Sequence, residues 1–370
     1  MKILYLVNID WFFVSHRLPI ALAAKDAGYE VFVAAKETDS KEIITKHGLK
    51  FVPINLERTS TNLFQEFFSL IRIIILVIKI KPDIIHNITI KPIIYGTIAA
   101  RLTGVKRIIN AVSGLGYNFT NNNLSPFKIK IFFNVLKRIH NSKKVSVIFQ
   151  NPSDKDTYIN NGIINNNQYI LIKGSGVDLK EFSFTPALKT NKVKFLFSAR
   201  LLIDKGINEF ISAAKIISKS HSNLCEFIVA GKIDSDSPIM VKEEVLKEAH
   251  NKGFINFIGF SSNIKELLRG VDVVVLPSYY GEGVPKALIE ASAIGRPIIT
   301  TDMPGCKETV VDGRNGFLIP PKDVPALCDK IGILIQNPEL RMEMGHESRL
   351  IAEDNFSIEH VINETLNIYT

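Results

Sequence analysis

Strand-length apolar runs and helical stretches alternate along this chain, stop once, and begin again. Ile3–Val7 reads as a strand, Leu18–Ala27 as a helix and Glu30–Ala35 as a strand. A helix at Ser40–His47 and a strand at Phe51–Ile54 follow. Further strands are expected at Asp83–His86, Lys106–Ala111, Val145–Gln150 and Tyr169–Ile172, with helical stretches between them. Such a series implies right-handed crossovers between parallel strands, and so a doubly wound sheet. The polar segment from Glu181 to Lys192, which contains Pro186, reads as a linker. The alternation then restarts at Val193–Ser198 and continues through Glu226–Ala230, Ile255–Gly259, Val271–Leu276, Pro297–Thr300 and Gly316–Ile319. The expected class is α/β, with one doubly wound domain over 1–182 and a second over 193–355. With 370 residues, 46% of them hydrophobic, the chain can fill two cores.

Charge is uneven. Residues 1–180 hold 24 Lys and Arg against 12 Asp and Glu, a balance of +12; the remainder holds 21 against 25, or −4, which together give the overall +8. A basic first half facing a mildly acidic second half implies different partners for the two. Anionic lipid headgroups, a polyprenyl diphosphate or nucleic acid would all suit the basic half. No nucleic-acid motif is present, so a lipid comes first and no nucleic-acid partner is expected. Cys225, Cys306 and Cys328 are few, widely spaced and odd in number, which fits neither a disulfide framework nor a zinc site. A reducing cytoplasm is the expected setting. The start of the chain is interrupted by Asn8 and Asp10 and has no small-residue cleavage site, so it does not read as a signal peptide. Between Phe64 and Ile80 the unbroken apolar core is only Ile73–Ile78, too short to span a bilayer. That stretch is expected to be a helix buried on one side, with peripheral membrane contact as the alternative.

Chemistry concentrates in Leu276-Pro-Ser-Tyr-Tyr-Gly-Glu-Gly-Val-Pro-Lys-Ala-Leu-Ile-Glu290. A buried strand, Val271–Leu276, leads into a loop with Gly281 and Gly283 on either side of Glu282. A helix over Ala287–Ile294 follows, with Pro285 suited to its first position. This arrangement puts unpaired N–H groups at the carboxyl edge of a parallel sheet, a ready anion site. Glu282 and Glu290 can then reach hydroxyl groups beside the anion, unless Glu290 merely pairs with Lys286 and Glu282 is solvated. Phe197-Ser-Ala-Arg-Leu-Leu-Ile-Asp-Lys-Gly-Ile207 places Arg200 and Lys205 just past another strand end, where two cations would stabilise charge on a departing phosphate.

Glu-x7-Glu between Leu-Pro-Ser and Gly295-Arg-Pro-Ile-Ile-Thr-Thr301, together with Arg-x4-Lys-Gly at 200–206, resembles the donor site of the retaining glycosyltransferases of family 4. The resemblance spans nearly the whole chain and implies the GT-B fold, two Rossmann-like domains facing across a cleft, with a terminal helix (356–370) returning to the first. It also implies roles. Arg200 and Lys205 would neutralise the leaving diphosphate, Glu290 would hold the ribose hydroxyls, and Glu282 the 3- or 4-hydroxyl of the donor sugar. The backbone of Gly283, Val284 and Pro285 would lie against sugar and diphosphate, and Phe260 would lie near the base. Ser278 is read as a structural loop residue.

The first domain would carry the acceptor. His86 closes Pro82-Asp-Ile-Ile-His-Asn87 at a strand end, where family members often have a histidine contacting donor sugar or acceptor; a hydrogen-bonded structural histidine is the alternative. Lys91 follows closely. Ser113-Gly-Leu-Gly-Tyr117 offers Gly114 and Gly116 for close backbone approach. Arg17, in Ser15-His-Arg-Leu-Pro19, suits a diphosphate, because a guanidinium makes bidentate contacts. After the first strand stands Asp10-Trp-Phe-Phe-Val14 where many family members have a Gly-Gly pair. Gly-Leu-Gly and Arg-Leu-Pro make the chain similar to a subgroup transferring N-acetylhexosamines onto undecaprenyl-diphosphate-linked saccharides. Phe127–Lys144 mixes aromatic and aliphatic with basic residues, suited either to a helix on an anionic membrane or to one packed on the first domain.

The resulting expectation is a retaining, metal-independent glycosyltransferase with no cofactor, peripheral at the inner membrane face. Its donor would be a UDP-sugar and its acceptor a lipid-linked saccharide of surface-polysaccharide assembly. A UDP-sugar 2-epimerase would need acid–base groups whose pattern is missing. A non-catalytic nucleotide-sugar-binding scaffold would have no need of all four of Arg200, Lys205, Glu282 and Glu290.

Overall fold

The structure, a computed structural model, describes residues 1–56, 63–114, 125–187, 191–234, 237 and 239–370. Contacts divide these into two units: Met1–Gly176 together with Ile358–Thr370, and Val177–Ser357.

The first unit is a seven-stranded parallel sheet. Its strands are β1 (Lys2–Ile9), β2 (Glu30–Lys36), β3 (Lys50–Pro53), β4 (Ile84–Ile88), β5 (Arg107–Val112), β6 (Val145–Phe149) and β7 (Tyr169–Leu171). Helices α1 (Asp10–His16), α2 (Leu18–Asp26), α3 (Lys41–Lys46), α4 (Leu63–Ile80), α5 (Ile90–Thr103), α6 (Pro126–His140) and α7 (Pro152–Asn160) connect them. The order β3-β2-β1-β4-β5-β6-β7 is that of a doubly wound Rossmann sheet. All five residues of β4 are buried, as a strand covered on both faces requires. One face packs Tyr5, Val7 and Ile88 against Phe13, Ile20 and the chain's last helix; the other packs Leu4, Leu6 and Ile85 against α4, α5 and α6.

The second unit repeats the plan with β8 (Val193–Ser198), β9 (Cys225–Ala230), β10 (Asn256–Gly259), β11 (Val273–Leu276), β12 (Ile298–Thr301) and β13 (Gly316–Ile319). Its order, β10-β9-β8-β11-β12-β13, is again the Rossmann order, all parallel. The helices are α8 (Ile207–His221), α9 (Glu243–Asn251), α10 (Ile264–Arg269), α11 (Lys286–Ile294), α12 (Val324–Gln336) and α13 (Pro338–Asn355). The last helix, α14 (Ile358–Tyr369), belongs to the first unit.

Three expectations, on the division, the linker and Pro285, need correction. The division falls after Gly176, not at 182, because Val177 N–H bonds the Phe356 carbonyl and Arg349 donates to the carbonyls of Leu179 and Phe182. The segment read as linker is also held locally: Arg296, fully buried, donates to the Thr185 carbonyl at 2.7 Å. Asp10–Val14, which stands where many family members have a Gly-Gly pair, forms most of α1. The buried Asp10 carboxylate accepts N–H bonds from Trp11 (2.7 Å) and Thr38 (2.7 Å), an acidic first turn satisfied through space and so invisible to periodicity. Pro285 caps α11 one residue ahead of its expected position.

Candidate functional site

In a doubly wound sheet, ligands bind outside the carboxyl ends of the strands where the strand order reverses. In the second unit that point lies between β8 and β11, and both candidate motifs leave the sheet there. After β8 the chain forms a short 3-10 turn, Ile203–Lys205, closed by Gly206 at φ 81°. A Cβ on Gly206 would stand 2.2 Å from the Pro277 carbonyl oxygen, so only glycine lets the two loops touch. Tyr279 N–H bonds the Asp204 carbonyl at 2.8 Å and completes the seam.

Across that seam Lys205 Nζ meets Glu282 Oε2 at 2.5 Å, with each side chain only 10% exposed. The other carboxylate oxygen, Oε1, accepts from Ser278 Oγ at 2.7 Å. Tyr280 N–H donates to that same hydroxyl oxygen, and the Tyr280 ring lies 5.2 Å below the Lys205 ammonium. Ser278 therefore orients the carboxylate, a role its reading as a loop residue missed. A serine four residues before the acid was the available signal. The Ser278 carbonyl accepts from Thr301 Oγ1, so the far end of β12 fixes the loop as well.

Gly305 is the least legible part of the site. At φ 83° a Cβ there would fall 1.5 Å from the Gly283 carbonyl oxygen. The Asp302–Cys306 turn thus backs the acidic loop with bare backbone. Beside it the buried Cys306 thiol is pushed up to about 12, first by burial and then by the Glu282 charge.

The other predicted residues of this unit are placed as follows. Arg200 pairs with Asp234 at 2.8 Å and keeps a side chain 28% exposed. Glu290, one turn into α11, is almost buried; burial raises its pKa, against the Lys286 ammonium 3.5 Å away. The Lys286 pairing foreseen as an alternative is present, though long. Val284 turns its side chain into an apolar cluster with Ile289, Ala293 and Phe356, which leaves backbone facing the loop. Phe260 follows β10, two strands out from β8, and is 72% exposed.

The corresponding reversal in the first unit lies between β1 and β4. Asn8 Nδ2 spans it to Thr89 Oγ1 at 2.8 Å, and Thr89 takes a strained φ of 73° at the start of α5. Arg17 is here, 4% exposed. It donates to the His16 carbonyl at 3.1 Å and reaches Ser113 Oγ at 3.5 Å, beside Gly114 at φ 93°. Among the described residues its Nε has no acceptor, and burial lowers its pKa to about 10. Gly116 lies outside the described residues.

Lys91 is paired with Glu66 of α4 at 2.7 Å. His86 lies in the interior of the first unit. It is 1% exposed, stacked on Tyr5 with centroids 5.2 Å apart, and bonded through Nδ1 to Tyr369 Oη at 2.7 Å. Burial, then the Arg17 charge, lowers its pKa well below the ordinary range. The alternative of a hydrogen-bonded structural histidine describes it, because β4 is covered on both faces.

Two Rossmann-order units in one chain, with a lysine–glutamate pair at the second unit's reversal, are the constituents of a GT-B glycosyltransferase. Solved structures agree on the fold. A Rickettsia africae glycosyltransferase superposes with a TM-score of 0.78 at 20% identity, covering 100% of this chain and 97% of that one. Anabaena Alr3699/HepE in complex with UDP gives 0.77 at 18% identity, covering 99% and 98%. Residues 2–152 match the family described as glycosyl transferase 4-like, and residues 178–350 match glycosyl transferases group 1. The two matches fall one on each unit, and the chain belongs to these family-4-type glycosyltransferases. It is similar to the Campylobacter jejuni N,N'-diacetylbacillosaminyl-diphospho-undecaprenol alpha-1,3-N-acetylgalactosaminyltransferase, with 28% identity over 93% of this chain and 92% of that protein. It is also similar to the Escherichia coli UDP-Gal:alpha-D-GlcNAc-diphosphoundecaprenol alpha-1,3-galactosyltransferase, with 27% identity over 86% and 82%. The family match favours sugar transfer over epimerisation.

Proposed function

We propose that this chain transfers an N-acetylhexosamine from its UDP-sugar to a polyprenyl-diphosphate-linked saccharide, with retention at the anomeric carbon and without a metal. The reading rests on the buried Lys205–Glu282 pair at the strand-order reversal. A nucleotide sugar there would present its diphosphate to Lys205 and Arg200 and to the N–H groups that open α11. Its sugar hydroxyls would fall to Glu282 and its ribose to Glu290. During reaction the bond from the anomeric carbon to the phosphate oxygen breaks, and a bond to the acceptor hydroxyl oxygen forms on the same face. The acceptor's proton passes to the departing phosphate oxygen. The protein's share is positioning, plus fixed positive charge where negative charge develops.

The lipid-linked acceptor is inferred from the Campylobacter and Escherichia relatives, whose names carry undecaprenol or its diphosphate. In the first unit, Arg17 has the buried guanidinium suited to an acceptor diphosphate, with Gly114 beside it. Such an acceptor would bring the protein to the inner face of the plasma membrane. Among the described residues no helix is long and apolar enough to cross a membrane.

The test is a panel of UDP- and GDP-sugars with bacterial lipid extract, following radiolabel into the organic phase with and without EDTA. Label from one UDP-N-acetylhexosamine, indifferent to EDTA, supports the proposal. EDTA-abolished transfer overturns its metal independence, and interconversion of UDP-GlcNAc without acceptor overturns transfer itself.

A further inference from the structure

Helix α11 is buried from Leu288 to Ile294, and within that run the ionisable residue is Glu290. Its side chain is 12% exposed, and Lys286 Nζ stands 3.5 Å from its Oε1. Helix stability does not account for the lysine. Lys286 opens α11, where the positive end of the macrodipole disfavours a cation, and the first turn holds no acidic residue to offset it. The order of the pair is also the weaker one, since at this spacing a glutamate preceding a lysine stabilises a helix more than the reverse.

The effect of the lysine on the carboxylate is a different matter. Burial raises the Glu290 pKa, and the charge of Glu181, from the segment ahead of β8, raises it further; Lys286 opposes both. An ionised carboxylate offers acceptors on both oxygens, which matches two adjacent hydroxyl donors. Such charge-assisted bonds are about twice as strong as neutral ones, and a protonated carboxyl gives up the match. The spacing of the pair suits this use. Glu282 is gripped at both oxygens, by Lys205 at 2.5 Å and by Ser278 at 2.7 Å. Lys286 approaches Glu290 at Oε1 and from farther away, so it supplies positive charge without clamping the carboxylate.

We propose that Lys286 is a positioning residue of the donor site, whose ammonium keeps the Glu290 carboxylate charged and available to the two adjacent hydroxyls of the nucleotide's ribose. The inference rests on the ribose being held by Glu290, as proposed above. It also removes the choice between a glutamate that pairs with Lys286 and one that binds ligand, because the pairing serves the binding.

Calorimetry of the full chain with UDP and with 2′,3′-dideoxy-UDP separates the ribose hydroxyls from the base and the phosphates. Wild type is expected to bind UDP about tenfold or more tightly than the dideoxy nucleotide, as hydrogen bonds to a charged group imply. In Lys286→Met that ratio should fall to about threefold or less at neutral pH, almost wholly through weaker UDP binding. Lys286→Arg, which keeps the charge, should restore most of it. In Lys286→Met the ratio should also climb as pH is raised, because a buried carboxylate stripped of its cation ionises later, while in wild type it stays level. A Lys286→Met protein that keeps the wild-type ratio overturns the inference and leaves the ribose on Glu290. Equal weakening of both nucleotides overturns it too, and would put the ammonium on the diphosphate. A wild type that binds both nucleotides alike, or neither, overturns the placing of the ribose itself and this inference with it.

Discussion

Lys205 and Glu282 stand 2.5 Å apart, and neither is placed by its own loop alone. The lysine is set by Gly206 against Pro277, and the glutamate by Ser278 and by the backbone of Gly305. The pair is thus a property of two strands meeting at a reversal of strand order.

Removing one partner leaves a buried, uncompensated charge, which costs about 3–5 kcal/mol. Lys205→Met and Glu282→Met are each expected to lower turnover by about 10²-fold or more and to reduce thermal stability. Because the groups act as a unit, the double variant should be far less than additive in both measures. Additive losses in a double-mutant cycle would show that the ion pair is incidental.

Gly305 bears no side chain, yet Gly305→Ala should damage activity nearly as much. Its Cβ would collide with the Gly283 carbonyl oxygen at 1.5 Å, in a backbone region unfavourable to alanine. Shifting the acidic loop by about 1 Å is expected to cost about 10²-fold in turnover. Steady-state kinetics on the folded variant decide this; an activity near wild type would mean the turn yields without moving Glu282.

Acid should loosen the first unit through His140. This residue is fully buried in the first unit, donating from Nδ1 to the Leu136 carbonyl at 2.8 Å and accepting at Nε2 from Asn110 at 3.1 Å. Burial lowers its pKa to about 4. In the unfolded chain it titrates near 6.5, so as pH falls below that value the unfolded state takes up the proton first. The stabilisation is complete above about pH 6.5 and is lost toward pH 4, amounting to about 3 kcal/mol. Urea unfolding across this range should show that loss, and His140→Gln should flatten it. An equal slope in the variant would assign the acid sensitivity elsewhere.

The last helix is locked by hydrogen bonds as well as by packing. Tyr5 and Tyr369 hydroxyls lie 2.8 Å apart, and Tyr369 is bonded to His86. Donation from Tyr5 to Tyr369 and from Tyr369 to His86 Nδ1 uses both hydroxyl hydrogens. Tyr369→Phe leaves two buried polar groups without that partner and is expected to cost about 2 kcal/mol or more. His86→Gln should cost a similar amount by releasing Tyr369. Unfolding measurements in which both variants match wild type would argue that the helix is held by its apolar face alone.

Much of the fold was legible because parallel strands buried on both faces must be apolar runs, and Val193–Ser198 and Gly316–Ile319 appear where the runs are. The placement of Arg200 and Lys205 past β8 and of Glu282 and Glu290 past β11 was legible too, since sequence spacing fixes it. Helix α1 was not, because the bonds that anchor Asp10 come from Thr38 and Ser40 on another crossover. Nor were Ser278 and Gly305, whose importance lies in what stands opposite them. His86 shows the converse: a strand-end position suggested a site, while Tyr5, Tyr369 and Arg17 enclose it.

By itself, the sequence determined the two doubly wound sheets and the loops that carry cations and carboxylates, because burial periodicity and strand-end spacing act along the chain. Only the tertiary structure decided which charge meets which. It paired Lys205 with Glu282, tied Lys91 to Glu66, enclosed His86 and left Phe64, Phe67 and Phe68 of α4 exposed. Ion pairs, burial and steric contact are set by distance through space, and strand order fixes that distance only once every crossover has closed.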